Sequence, residues 1–157
     1  MQVEIVDGNI VEADTEVIVN AWNRNIVPWF LLLPHGVSAE IKRRAGAKPF
    51  NELLKVGPMP LGSARITTAG KLDYEAIIHV AGIDMLWRAS EASVRKSVRS
   101  AMRLVDEHRF LSAAFPIIGA GSGGLGSEAA LKAMLDEFGR IESEAKVVVI
   151  RYKKASG

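Results

Sequence analysis

The residues best suited to chemistry lie in one glycine loop, Ala114-Phe115-Pro116-Ile117-Ile118-Gly119-Ala120-Gly121-Ser122-Gly123-Gly124-Leu125-Gly126. An apolar run leads into it and a helix-forming segment leads out. Glycines let backbone N–H groups turn toward one point and let a diphosphate approach without meeting a Cβ, while the following helix N-terminus favours negative charge. The plain alternative is a flexible turn. Gly119, Gly121 and Gly124 also satisfy G-x-G-x-x-G, the dinucleotide fingerprint. That reading fails, because it requires an acidic residue roughly 20 positions on, at the end of the next strand. Here the run Val147 to Ile150 ends in Arg151-Tyr152-Lys153. No G-K-[ST] follows the glycines, so a P-loop NTPase is excluded as well. The loop implies a diphosphate without hydride chemistry.

Two further places carry polar residues at the end of an apolar run. Val17-Ile18-Val19-Asn20-Ala21-Trp22-Asn23 closes on two asparagines three apart. Their carboxamides can donate to and accept from sugar hydroxyls, or can cap the turn by bonding their own backbone. In Gly8-Asn9-Ile10, Asn9 has the groups to read a base edge, although alone the tripeptide is a turn. The chain has no cysteine, which excludes disulfides, thiolate metal sites and a cysteine nucleophile. No metal-ligand cluster, carboxylate pair or Ser-His-Asp arrangement stands out.

These groups must be positioned by regular elements. Apolar β-branched runs alternate with longer helical stretches, the pattern of a mostly parallel sheet covered by helices. Strands are expected at Val3 to Val6, Val17 to Asn20, Ala64 to Thr67, Ile77 to Val80, Ala113 to Ile117 and Val147 to Tyr152. The clearest helix runs from about Ser90 to His108, with Val94, Val98, Ala101 and Val105 forming a stripe toward the sheet. Other helices are expected from Val37 to Arg44, stopped by Gly46, and from near Ser127 to just before Gly139. The stretch Lys48 to Leu61, with Pro49, Gly57, Pro58 and Pro60, reads as a surface connection. The three polar places all follow a strand, where open α/β sheets bind their ligands.

At 157 residues, 48% hydrophobic and 24% charged, the chain suits one domain spanning 1–157. No run approaches the roughly 20 apolar residues of a membrane span, and the start lacks a signal-peptide pattern, so no membrane partner and a cytoplasmic location are expected. A net charge of +2 does not by itself argue for nucleic acid.

Taken in order, Gly8-Asn9-Ile10, Val19-Asn20-Ala21-x-Asn23, Gly36-Val37-Ser38-Ala39-Glu40-Ile41, Ala45-Gly46, Gly62-x-Ala64-x-Ile66-Thr67, Ile78-His79-Val80-x-Gly82 and Ala114-Phe115-Pro116 with its glycine loop resemble the macro domain, the ADP-ribose-binding, Appr-1"-p-processing family. The resemblance implies a three-layer α/β/α fold around a mixed central sheet, and a cleft for ADP-ribose or an ADP-ribosylated molecule as ligand, with no cofactor. By position, Asn9 and Ile10 would lie at the adenine, and Asn20 and Asn23 at the distal ribose. Gly36, Val37 and Ser38 would form one diphosphate loop, and Gly119, Ala120, Gly121, Ser122, Gly123, Gly124 and Leu125 the other. Tyr152 is a candidate to stack on adenine, or a simple edge aromatic. His79, inside an apolar strand motif, reads as structural.

The chain departs from the family in its first phosphate loop. Where many members have Gly-Asp-Ile, it has Asn9, and where hydrolytic members have a glycine run and Gly-Val-Asp, it reads Leu33-Pro34-His35-Gly36-Val37-Ser38. Ser38 cannot act as a carboxylate base. Trp22 replaces a small residue, and Gly123 an aromatic. The uncharged run Ile26 to Pro34 reads as core packing, as an apolar lid, or as a dimer surface. If the chain is an enzyme, the expected reaction is hydrolysis of an ester or phosphate on the distal ribose, with Asn23 orienting the ribose and His35 the nearby titrating group. The competing class is an RNA- or nucleotide-binding module without catalysis, carried by Arg88, Arg95, Lys96, Arg99 and Arg103 on or beside one helix.

Overall fold

The computed structural model of the chain describes residues 1–31, 36–84, 88–120 and 124–153. A six-stranded sheet runs β1-β6-β5-β2-β4-β3. Its strands are β1 (Val3–Gly8), β2 (Val17–Trp22), β3 (Ala64–Thr67), β4 (Ala76–Ala81), β5 (Ser112–Pro116) and β6 (Lys146–Tyr152). Each pair is parallel except β3 with β4, so the sheet is mixed.

Alternation along the central strands divides two cores. Val17 and Val19 of β2 face one side with Val147 and Val149 of β6, while Ile18, Trp22 and Ile150 face the other. The first side is covered by α3 (Glu91–Glu107) and α4 (Ser127–Phe138), the second by α1 (Gly36–Ala45) and α2 (Lys48–Val56). Three layers result, as expected for strands buried on both faces.

Helix α3 follows its sequence signals closely. Ser90 caps it in a reciprocal box with Ser93, and Val94, Val98, Ala101 and Val105 are all fully buried. Burying a valine side chain contributes about 1.5–3 kcal/mol, so this stripe holds α3 on the sheet. Its other side grips α4, where nearly buried Glu137 accepts from Arg99 at 2.8 Å.

The stretch Lys48 to Leu61 differs from expectation, since its first nine residues form α2. Pro49 sits in the opening turn, where a helix has no use for the missing N–H. Phe50 and Leu53, one turn apart, fill the core beneath it, and the helix ends at Gly57. The proline marks a beginning that reads in sequence as a break.

Candidate functional site

A cavity of about 620 Å³ opens at the C-terminal ends of the strands. Its floor comes from Ala21 and Trp22 of β2, and one wall from Gly36, Val37 and Ser38, the first turn of α1. Pro116 to Ala120 and Ser127 form another wall, while Asp7, Ile150, Arg151, Tyr152 and Lys153 complete the rim. The N-termini of α1 and α4 therefore open onto one space, where the first N–H groups of a helix lack intrahelical partners and its dipole is positive. Helix α4 begins after Gly126 with no side-chain cap, which leaves those donors to a ligand. The Ser38 hydroxyl is buried and has no hydrogen-bond partner among the described residues. An unpaired buried hydroxyl costs about 1–3 kcal/mol until something bonds to it.

The backbone at Gly119 requires glycine twice over. Its φ is +88°, and a Cβ there would lie 3.0 Å from Ala89 Cβ and 3.1 Å from Val94 Cγ2. The loop is thereby pressed onto the start of α3, and Ile118, Gly119 and Ala120 line the cavity beyond β5.

Of the residues expected at a ligand, Gly36, Val37, Ser38, Gly119, Ala120 and Tyr152 line this cavity. Gly124 and Leu125 lie in the same loop but do not line it. His35, Gly121, Ser122 and Gly123 fall outside the described residues.

The asparagines depart from expectation. Asn20 is wholly buried and its Nδ2 donates to His79 Nδ1 at 3.0 Å, with Thr67 Oγ1 2.9 Å from His79 Nε2. Alternation places Asn20 on the face with Ile18, in a polar pocket of the core; it does not line the cavity, and its Oδ1 is buried with no hydrogen-bond partner among the described residues. Burial pushes the pKa of His79 down to about 3, and its ring is neutral. The structural reading of His79 holds.

Asn9 caps the short turn Ile10–Glu12 by accepting from the Val11 N–H and also donates to Glu40, while Ile10 is core. Neither lines the cavity. Asn23 Oδ1 accepts the Asn25 N–H at 2.6 Å, closing the turn after β2.

Asn25, which the sequence reading passes over, anchors that turn. At φ +60° it donates to the Leu53 and Gly57 carbonyls and accepts from Trp22 Nε1. Its left-handed backbone is tolerated by asparagine better than by most residues, which is the signal available in sequence.

Trp22 does not fill the cleft. Its ring lies 5.4 Å from that of Phe50, with the Lys42 ammonium 5.4 Å from its centroid. Trp29 also packs on Phe50 and donates to Asn51, away from the cavity. The apolar run is not core over its described part, because Ile26, Val27, Phe30 and Leu31 are exposed and Pro28 and Trp29 are only partly buried; none of the residues 26–31 lines the cavity.

On the rim formed by β1 and β6, Asp7, Arg151 and Lys153 are not anticipated from the sequence. Asp7 and Arg151 are register partners, and Asp7 Oδ1 accepts from Arg151 Nε at 2.8 Å while Oδ2 lies 3.0 Å from Lys153 Nζ. The Lys153 ammonium, together with Arg151, holds the Asp7 carboxyl below its ordinary pKa. No motif flags these residues; only strand pairing gathers them. On or beside the basic helix, Arg88 pairs with Asp84, Arg95 with Glu91 and Asp136, and Arg99 with Glu137. Among the described residues no group of three potential ligands could hold a metal ion, and no helix is long and apolar enough to cross a membrane.

A mixed sheet between helix pairs, with two helix N-termini and a glycine loop at its strand ends, defines an α/β/α domain built to receive an anion. The Macro domain model matches residues 19–134, and the chain belongs to that family. It is 34% identical over 128 residues to an O-acetyl-ADP-ribose deacetylase of Escherichia coli, covering 76% of this chain and 68% of the relative. An uncharacterized protein of Aquifex aeolicus is 37% identical over 153 residues, 96% of this chain and 90% of its own. A mutant Oceanobacillus iheyensis macrodomain with ADPR superposes with a TM-score of 0.82 at 27% identity, over 96% of this chain and 84% of that one. The macrodomain of the same organism with ADP gives 0.81 at 28%, over 97% and 83%.

Proposed function

We propose that this chain binds ADP-ribose, free or attached to another molecule, in the cavity at the strand ends. The observation that carries the reading is the convergence of the α1 and α4 N-termini and the Gly119 loop on one space, with the Ser38 hydroxyl unpartnered beside it. Two adjacent phosphates need many donors at short range and little positive side-chain bulk, and helix termini supply both. The adenosine then lies toward Tyr152 and the β1/β6 rim, and the distal ribose toward Trp22 and the Asn23 turn. Asn23, with its Oδ1 taken by Asn25, has its Nδ2 for a ribose hydroxyl.

The likeness to an O-acetyl-ADP-ribose deacetylase supports a related reaction, in which water attacks the ester carbonyl and the ribose hydroxyl leaves with a proton. Ser38 offers no carboxylate base, so turnover here relies on orientation by Asn23 and the ligand's own phosphates, with His35 as the titrating group, and is slow. Calorimetric titration with ADP-ribose, against AMP and NAD, tests the binding. Micromolar affinity selective for ADP-ribose is expected; equal affinity for AMP would remove the role given to the diphosphate walls.

A further inference from the structure

The rim at β1 and β6 carries more charge than ADP-ribose can use. Asp7, Arg151 and Lys153 all line the cavity and stand on one face of two paired strands, Asp7 beside Arg151 in register and Lys153 two residues further. One carboxylate is shared between two cations. The excess is a positive charge at the mouth, held on the side chains of Arg151 and Lys153, which are 54% and 69% exposed. Asp7 engages Arg151 through Nε, and among the described residues neither terminal nitrogen of the guanidinium is bonded. That is a fork aimed by its neighbour and free at its tips, the geometry that meets a phosphate with two parallel hydrogen bonds.

In the orientation proposed above, this rim meets the adenosine. A base and a ribose with free hydroxyls carry no charge near neutral pH, and the diphosphate is already met by α1, α4 and the glycine loop. The excess cation therefore has no partner in plain ADP-ribose. The rim residues also lie outside residues 19–134, the part matched by the family's model, so they are free to set what distinguishes this chain.

We infer that Arg151 and Lys153 form a second anion subsite, and that the preferred ligand carries a phosphate monoester on its adenosine ribose in addition to its diphosphate. Asp7 is the positioning residue, holding the guanidinium by Nε and the ammonium beside it. The inference rests on the ADP-ribose reading and deepens it.

The test is calorimetry with ADP-ribose and with its two forms phosphorylated on the adenosine 2′- or 3′-hydroxyl, using the wild type, Arg151→Ala/Lys153→Ala, and Asp7→Asn. The wild type is expected to bind one phosphorylated form about tenfold or more tightly than ADP-ribose, as one charge-assisted pair allows. That ratio should fall to about one in the double variant and shrink with added salt, and it should hold or rise in Asp7→Asn, whose amide oxygen still accepts from Arg151 Nε and keeps the guanidinium aimed while the competing negative charge is gone. A wild-type ratio of one or below overturns the subsite, and so does a preference that survives the double substitution. The two readings fail separately: ADP-ribose binding without preference removes the subsite alone, whereas no binding of any of the three ligands removes both.

Discussion

At the scale of single residues, the site depends on which polar groups are already satisfied. Asn9, Asn20 and Asn23 have the chemistry to read a nucleotide, yet each gives at least one carboxamide atom to the protein, at a turn or in the core. Sequence cannot separate these fates, because a strand-end asparagine has the same neighbours whether it caps a turn or faces a sugar. Ser38 is the opposite case. It is legible as a departure from the family's acidic residue, but only the structure leaves its hydroxyl buried and unpaired. Ser38→Ala should therefore weaken ADP-ribose binding by about 0.5–1.5 kcal/mol, roughly two- to tenfold, without lowering the melting temperature of the free protein. Calorimetry and thermal melts read the two effects; a loss of stability in place of affinity would mean the hydroxyl serves the fold.

At the scale of elements, periodicity located every strand, because β-branched runs bounded by turn residues have few other uses. It failed at α2, where Pro49 stands at the one helical position that tolerates it and Phe50 and Leu53 supply too short a stripe to outweigh three prolines. The glycine loop was legible as a phosphate cradle, but not the reason Gly119 must be glycine, which depends on Ala89 and Val94 arriving from elsewhere in the chain. Gly119→Ala forces a positive φ on a Cβ with no free space. The expected result is a loss of about 1–3 kcal/mol in urea unfolding, together with a larger loss of ADP-ribose affinity than Ser38→Ala produces. Full affinity in that variant would show that the loop's path is not what holds the diphosphate.

For the molecule as a whole, the buried trio of Asn20, His79 and Thr67 ties stability to pH. The folded pKa of His79, about 3, lies below its unfolded value near 6.5, so between these limits the unfolded chain binds a proton that the folded one refuses. Stability is then fully present above about pH 6.5 and falls as pH drops, approaching about 1.4 kcal/mol per pH unit from this group. Urea denaturation from pH 7 to pH 5 samples the upper part of the window, before most carboxylates titrate. A flat profile there would contradict a neutral, buried His79. Burial of this depth was expected from the apolar strand around the histidine; its partners, 12 and 59 residues away, were not.

Because β1 and β6 run parallel at one side of the sheet, Val3 and Tyr152 stand at opposite ends of it. The chain enters on the side away from the cavity and, at Lys153, leaves beside its mouth. A fluorophore attached at Lys153 would sense a ligand directly, through quenching or a change in polarity, while the same dye at Gln2 would be silent. The fold thus provides a reporting end and a tethering end, and immobilisation through the N-terminal side would leave the mouth free.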